Sequence, residues 1–320
     1  MGRRLVLVVG YDDAELLDIA CVTTALAMAN ELGALADRYR VRVAAPGGGP
    51  VTCASGLTLL GQVALERAAG PLDTLIVSGG LGHLRAAADL RLVGHVRRLA
   101  RESRRVASLC TGASVLAAAG LLDGRRATTH WRYAAGLAAS YPQVTVDADP
   151  IYIRDGDVAT AAGVTSALDL TLAFVAEDHG FELSQEVARH MVTYLHRPGN
   201  QAQMSIHTAA PVPRNDLVRR VVERVIGDPG GDLSPAALAA GVGVSERHLH
   251  RLFLTHLGHP PARYVRRARA EAAAKLLVGT SLPVARIALR CGLGTAETLR
   301  RVFVERYGIS PARYRAMQTG

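Results

Sequence analysis

Three turns in the first half of this 320-residue chain carry groups that can do chemistry together. The run Val106-Ala107-Ser108-Leu109 leads into Cys110-Thr111-Gly112-Ala113 and then a helical pattern. Cys110 therefore stands on a strand-to-helix elbow, where the helix N-terminus favours a thiolate. The run Asp73-Thr74-Leu75-Ile76-Val77-Ser78 ends in Gly79-Gly80, whose N–H groups are free to face an anion or a carbonyl oxygen. A carboxylate, Asp18, sits near the start of the first helix and can approach from the adjacent strand end. Cys110, Asp18 and the glycine amides are thus a nucleophile, an acid/base and an oxyanion pocket in kind. Thr111, not a histidine, follows the thiol, which removes one route to its activation. His130, beside Trp131, is the nearby histidine in sequence.

A different chemistry is written in the last third. Ser245 to Tyr264 recurs 50 residues later as Thr295 to Tyr314 without a gap: Leu249/Leu299, Arg251/Arg301, Phe253/Phe303, Gly258/Gly308, and Pro-Ala-Arg-Tyr at 261–264 and 311–314. Upstream of each copy a short apolar helix ends in a glycine turn, and Ser245 or Thr295 is placed to cap the next helix. Each unit reads helix, turn, helix. The spacing of Leu249, Leu252 and Phe253, and of Leu299, Val302 and Phe303, fills one helix face. Arg247, His250 and Arg251, with Glu297, Arg300 and Arg301 in the second copy, are left on an exposed face that can enter a major groove.

The elements that must hold these groups follow from patterning. Strand candidates Leu5–Val9, Arg40–Ala45, Thr74–Ser78 and Val106–Leu109 alternate with helix candidates Ala14–Leu32, Asp89–Arg101, Thr111–Ala119 and Thr165–Asp178. Such alternation predicts a parallel sheet with helices on both faces and functional atoms at the carboxyl ends of its strands. A helix over Ser184–His196 and a Pro, Gly and amide-rich connector, Arg197-Pro-Gly-Asn-Gln-Ala-Gln, then lead towards the repeats. The expected domains are 1–195, a linker 196–213, and 214–320. Residues 211–320 hold 18 Lys+Arg against 8 Asp+Glu, whereas 1–210 hold 19 against 20, so the net +9 resides in the last third. That is where phosphates would be neutralised, and double-stranded DNA is the expected partner.

Composition excludes other classes. With 49% hydrophobic residues the chain can build two real cores. The apolar opening run stops at Gly10-Tyr11-Asp12-Asp13, and nothing approaches the ~20 apolar residues that span a bilayer, so no membrane role and a cytoplasmic location are expected. Cysteines 21, 53, 110 and 291 are far apart and predict no disulfide. The eleven histidines lack Cys or carboxylate company at ligand spacing, so neither a metal nor a cofactor is expected.

Residues 214–320 resemble the AraC/XylS-type regulator domain, two helix-turn-helix units joined by a long helix, here Pro260 to Val278, with Gly-Ile-Ser-Pro-Ala-Arg-Tyr at 308–314 on that family's most specific motif. The resemblance implies base-facing roles for Arg247, His250 and Arg251, and for Ala296, Glu297, Arg300 and Arg301. The first part resembles the PfpI/ThiJ superfamily, class I glutamine-amidotransferase-like proteins with a cysteine elbow. Leu121-Leu122-Asp123-Gly124-Arg125-Arg126-Ala127-Thr128-Thr129-His130-Trp131 is similar to the branch that holds isocyanide hydratases and AraC-type regulators. This implies a doubly wound, flavodoxin-like α/β domain followed by an all-α domain, the arrangement of GlxA-type regulators. It also implies a homodimer, RNA polymerase as a partner of an activator, and a small-molecule effector in a pocket of Asp18, Gly79, Gly80, Cys110, Thr111, His130 and Trp131. Cys110, Asp18 and Thr111 match the hydratase positions, so the alternative is a cysteine-dependent hydratase or amidase carrying a DNA-binding domain.

Overall fold

Val6–Val9, Leu75–Val77 and Val106–Ala107 are each 2% exposed or less, as strands covered on both faces by helices must be. The computed structural model describes residues 3–193, 197, 199, 201, 203 and 215–319, with backbone alone for 317–319. Its strands are β1 (Arg3–Val9), β2 (Arg38–Ala45), β3 (Pro50–Thr52), β4 (Thr58–Leu60), β5 (Val63–Ala64), β6 (Leu72–Val77), β7 (Ser103–Ser108), β8 (Arg126–Ala127), β9 (Thr145–Val146), β10 (Tyr152–Asp155) and β11 (Val158–Ala161). The main sheet runs β10-β11-β7-β6-β1-β2-β5 and is parallel except for the β10–β11 hairpin. Helices α1 (Leu16–Leu32), α2 (His83–Ala88), α3 (Leu90–Arg101), α4 (Ala113–Ala118), α5 (Trp131–Ser140), α6 (Ser166–His179) and α7 (Phe181–His190) complete this unit. It is the mostly parallel, doubly wound fold expected.

The chain winds from β1 outward to β2 and β5, then returns through β6 and β7 on the other side. The switch lies between β1 and β6, where neighbouring connections diverge at the carboxyl ends of the strands. Asp18 enters there because α1 starts soon after β1, and its stripe of Ile19, Val22, Ala25, Leu26 and Ala29 is buried against the sheet.

The structure departs from the expectations at two connections. Gly180, at φ 94°, caps α6 and lets the next helix begin at once at Phe181 rather than at Ser184. That helix ends at His190, before Val192 at φ 53°, and residues 194–196 of the expected Ser184–His196 helix lie outside the described ones. The connector expected at 196–213 is also revised. The compact units divide after Gln203, and Arg197, Gly199, Gln201 and Gln203 are hydrogen-bonded along the first unit. Of that connector, 196, 198, 200, 202 and 204–213 lie outside the described residues.

The second unit contains α8 (Asp216–Gly227), α9 (Pro235–Ala240), α10 (Glu246–Leu257), α11 (Pro261–Gly279), α12 (Val284–Arg290), α13 (Ala296–Tyr307) and α14 (Pro311–Thr319). The repeat in sequence is a repeat in structure. Ser245 and Thr295 cap α10 and α13, each accepting from the backbone N–H three residues on. Gly258 and Gly308 end those helices at φ 72° and 68°, a left-handed cap that glycine takes without strain. Phe253 packs edge-on to Tyr264 and Phe303 to Tyr314, with ring centroids 6.1 and 5.1 Å apart, fixing each second helix to the one that follows.

Both phenylalanines are fully buried, so Phe303→Ala should destabilise the second unit by ~3–5 kcal/mol. The lone tryptophan, Trp131, lies in the first unit and reports its unfolding separately. In urea, the ellipticity lost with the second unit's helices should move to lower denaturant while the Trp131 fluorescence transition stays in place. Equal movement of both signals would mean that the two units unfold as one.

Candidate functional site

The elbow is built by contact between two turns. Cys110–Gly112 forms a single 3-10 turn between β7 and α4, with Cys110 at φ 49°, the strained conformation of an elbow residue. Its walls are Ser78–Gly80 after β6. A Cβ on Gly79 would lie 2.5 Å from that of Cys110 and 2.7 Å from the Thr111 nitrogen, so no other residue fits without moving the elbow. The Thr111 hydroxyl clasps Gly80 from both sides, accepting from its N–H at 2.9 Å and donating to its carbonyl at 2.8 Å. Asp18, fully buried, accepts from the Gly79 N–H at 2.9 Å through Oδ2, while Oδ1 has no hydrogen-bond partner.

These bonds correct two expectations. The Gly79 and Gly80 amides are already taken by Asp18 and Thr111, so they are not free donors for an oxyanion. Nor does the elbow favour a thiolate: burial, reinforced by the Asp18 carboxylate, pushes the Cys110 thiol up to about 12, and Thr111's hydrogen bonds offset only part of that. Burial also lifts the Asp18 carboxyl to about 7, against the pull of the Gly79 N–H. Burial thus favours the neutral form of both the Cys110 thiol and the Asp18 carboxyl.

His130 and Trp131 stand one loop away. His130 caps α5, its Nδ1 accepting from the Arg132 N–H at 3.3 Å, and burial lowers its pKa. Its ring lies 5.6 Å from that of Trp131, which is half-exposed, and 5.7 Å from Tyr133. Thr129 joins this loop to the elbow by donating its hydroxyl to the Cys110 carbonyl at 2.8 Å.

Several residues of this region escaped the sequence reading. Tyr11 donates to the Ser78 carbonyl at 2.8 Å, and its hydroxyl is pushed up by burial and by Asp18. His83 is 4% exposed, pairs through Nδ1 with Ser114 Oγ at 3.0 Å and meets Tyr133 edge-on at 5.0 Å. Its position three residues after Gly80, in the same glycine-rich turn, was the available signal. No group of three or more His, Cys, Asp or Glu side chains that could hold a metal exists among the described residues. No helix among them is long and apolar enough to cross a membrane.

In the second unit, Arg247, His250, Arg251, Glu297, Arg300 and Arg301 are exposed and Ala296 partly so, on α10 and α13 or at their first turns. The two faces are prepared differently. Arg251 is held by His248, Nη2 to Nδ1 at 3.0 Å, whereas Arg300 places its fork on both oxygens of Glu297, at 2.9 and 2.8 Å. That pairing holds the Glu297 carboxyl below its ordinary range. A cleft of about 830 Å³ separates the two motifs, and Arg266, Arg269, Thr298 and Arg301 line part of it.

Comparison with known proteins agrees with both units. Residues 238–317 match the profile described as a helix-turn-helix domain. The chain is 36% identical over 288 residues to the HTH-type transcriptional regulator CdhR of Pseudomonas aeruginosa, covering 88% of this chain and 83% of that protein. It is 31% identical over 305 residues to the HTH-type transcriptional regulator GlxA of Rhizobium meliloti, covering 94% and 92%. Isonitrile hydratase of Pseudomonas putida is 38% identical over 141 residues, 43% of this chain and 59% of that enzyme. The profile of the DJ-1/PfpI family spans residues 3–177, more than half the chain, and joins the elbow, the sheet that presents it and these likenesses in one assignment: the protein belongs to the DJ-1/PfpI family.

Proposed function

We propose that this protein is a sequence-specific, DNA-binding transcription regulator whose DJ-1/PfpI unit senses a small molecule without turning it over. The observation that carries the reading is the pair of capped helices, α10 and α13, presenting arginine-rich faces in the unit that holds all the excess positive charge. Its likeness along most of its length to proteins named as transcriptional regulators supports the same conclusion. Arg251 and Arg301 are suited to guanine O6/N7, and Glu297 to a cytosine amino group once Arg300 moves aside. The effector would occupy the elbow region near Asp18, Cys110, His130 and Trp131. The regulator would act in the cytoplasm as a homodimer and contact RNA polymerase where it activates. Absence of turnover is favoured by the protonated Cys110 and by the engagement of both glycine amides.

One observation favours the enzymatic alternative: Asp18, near 7 and with one oxygen unpartnered, is poised for proton transfer beside Cys110. Isonitrile and amide panels decide between the two. No saturable turnover is expected, and a rate lost in both Cys110→Ser and Asp18→Asn would move the protein among the enzymes. Alkylation gives a second readout. A thiol with its pKa raised stays protonated until pH nears that value, so the Cys110 alkylation rate should still be climbing between pH 8 and 10. A plateau below pH 7 would establish a thiolate.

DNA binding is tested by selecting duplexes from a random pool with the full-length protein. The selected duplex should bind with affinity that falls steeply with salt. Arg251→Ala and Arg301→Ala should each cost ~1–3 kcal/mol on it, relaxing selectivity at different positions. Losses uniform across sequences would reassign both to phosphates. Because the two motifs are expected to read segments about one turn apart, inserting five base pairs between the half-motifs should abolish selectivity. Unchanged affinity would leave one motif reading alone.

A further inference from the structure

The chain that leaves the first unit is strapped to its sheet edge. Gly199 and Gln201 accept through their carbonyls from the N–H groups of Tyr152 and Ile151, at 3.1 and 2.8 Å, and Gln203 donates its N–H to the Asp149 carbonyl at 2.7 Å. The strap thus runs antiparallel to 149–152, and Gly199 sits where any Cβ would collide with the Tyr152 ring. At its start Arg197 grips the buried Asp169 of α6 with its backbone N–H, Nε and Nη2, at 2.8, 2.9 and 2.6 Å. At its end the Gln203 carboxamide uses both of its ends. Oε1 accepts from the Trp131 N–H at 2.9 Å, while Nε2 donates to the Thr129 carbonyl at 2.9 Å, with Thr128 Oγ1 at 3.1 Å and the Pro150 carbonyl at 3.3 Å. Thr129 is the shared member, since its hydroxyl holds the Cys110 carbonyl. Only residues 204–214 separate Gln203 from Asn215, the cap of the first helix of the DNA-binding unit.

We propose that Gln203 is a latch: it couples the arrangement of the elbow, through Thr129 and the 128–131 loop, to the hold on the chain that enters the DNA-binding unit. The proposal rests on the regulator reading above. The two ends of the strap differ in how readily they open. Releasing Arg197 would break three hydrogen bonds to a buried carboxylate, two of them charge-assisted, which is strongly unfavourable. Releasing Gln203 returns the exposed Trp131 N–H to water and gives up only neutral, part-buried acceptors on Thr128, Thr129 and Pro150, a smaller loss than that of bonds to a buried charge. Opening therefore starts at Gln203 and pivots at Arg197. A ligand that displaces Cys110 or Thr129 binds the held and released states unequally, and that difference is what an allosteric signal requires. By the same linkage, loosening the strap must loosen the elbow loop.

The test uses the full-length protein, residue-resolved hydrogen exchange and titration with the selected duplex. Gln203→Ala removes the carboxamide, while Gln203→Glu keeps an acceptor for Trp131 but sets a carboxylate against the Thr129 and Pro150 carbonyls without opening a cavity. Both should speed exchange at Ile151, Tyr152 and Trp131 by about tenfold, the order expected for one lost hydrogen bond, and shift DNA half-saturation at least about threefold. Thr129→Val, on the elbow side, should speed exchange at Ile151 and Tyr152 as well. Combined with Gln203→Ala it should add nothing to the DNA effect, because both break one coupling. Wild-type exchange at Ile151 and Tyr152 in Thr129→Val would make elbow and strap independent and overturn the latch. So would altered exchange with unmoved DNA half-saturation. A wild-type protein that bound no duplex would overturn the regulator reading itself, and that is visible before any variant is compared.

Discussion

The elbow depends on how closely the turn after β6 approaches the turn after β7. Contact is possible because both turns lack a Cβ where they meet: one on Gly79 would strike Cys110 and Thr111, and one on Gly112 would lie 2.5 Å from the Val77 carbonyl. With the turns in contact, a single threonine hydroxyl satisfies both the donor and the acceptor of Gly80. The Gly79 N–H then meets Asp18 coming from the far side of β1. A left-handed, non-glycine Cys110 costs of order 1–3 kcal/mol and persists because these bonds leave it no alternative. The rigidity that makes an elbow suitable for catalysis equally makes it suitable for registering a displacement.

Charge is segregated along the sheet. At the amino ends of the strands Arg4, Arg104 and Arg105 surround Asp73 and Asp178, with Arg105 4.0 Å from the Phe174 ring, a part-buried network in which each aspartate meets more than one arginine. At the carboxyl ends Asp18 is buried with the Gly79 N–H as its partner. Each aspartate of the first cluster is shared among the three arginines, so that end is cross-linked from several strands at once. The second end is different. Burial raises the Asp18 carboxyl to about 7, so its ionisation would respond to small changes in its surroundings.

Much of this was legible in the residues. The short β-rich runs Leu5–Val9, Thr74–Ser78 and Val106–Leu109 located β1, β6 and β7, and with them the positions of Asp18, Gly79 and Cys110. The exact repeat spacing located α10, α13 and their caps. What escaped was long-range or chemically silent. The β10–β11 hairpin had a signal in Asp155-Gly156, with Gly156 at φ 64°, set between alternating runs, but its role as the edge that receives the strap has none. Free glycine amides were expected because flexibility was visible, whereas their partners, Asp18 and Thr111, lie 61 and 31 residues away. The thiol's ionisation misled for a related reason: a helix N-terminus can be seen in sequence, and desolvation cannot. Gln203 read as connector because a lone amide among glycine and proline carries no periodicity.

The duplicated unit separates what packing fixes from what recognition is free to change. Phe253 and Phe303, Tyr264 and Tyr314, Gly258 and Gly308 have kept their identity because each fills a core site or a left-handed cap with one good occupant. The exposed positions have diverged, from Arg247, His250 and Arg251 to Glu297, Arg300 and Arg301. In the regulator reading proposed above, two copies with similar backbones and different faces would read two different half-motifs. Reversing the duplex would bring the acceptor-only carboxylate of Glu297 against bases chosen for arginine donors, and a mismatched charged group at a desolvated base edge is costly. Divergence of the outer faces on a preserved core would therefore let the two motifs of one chain select different half-motifs, where identical copies would select a direct repeat.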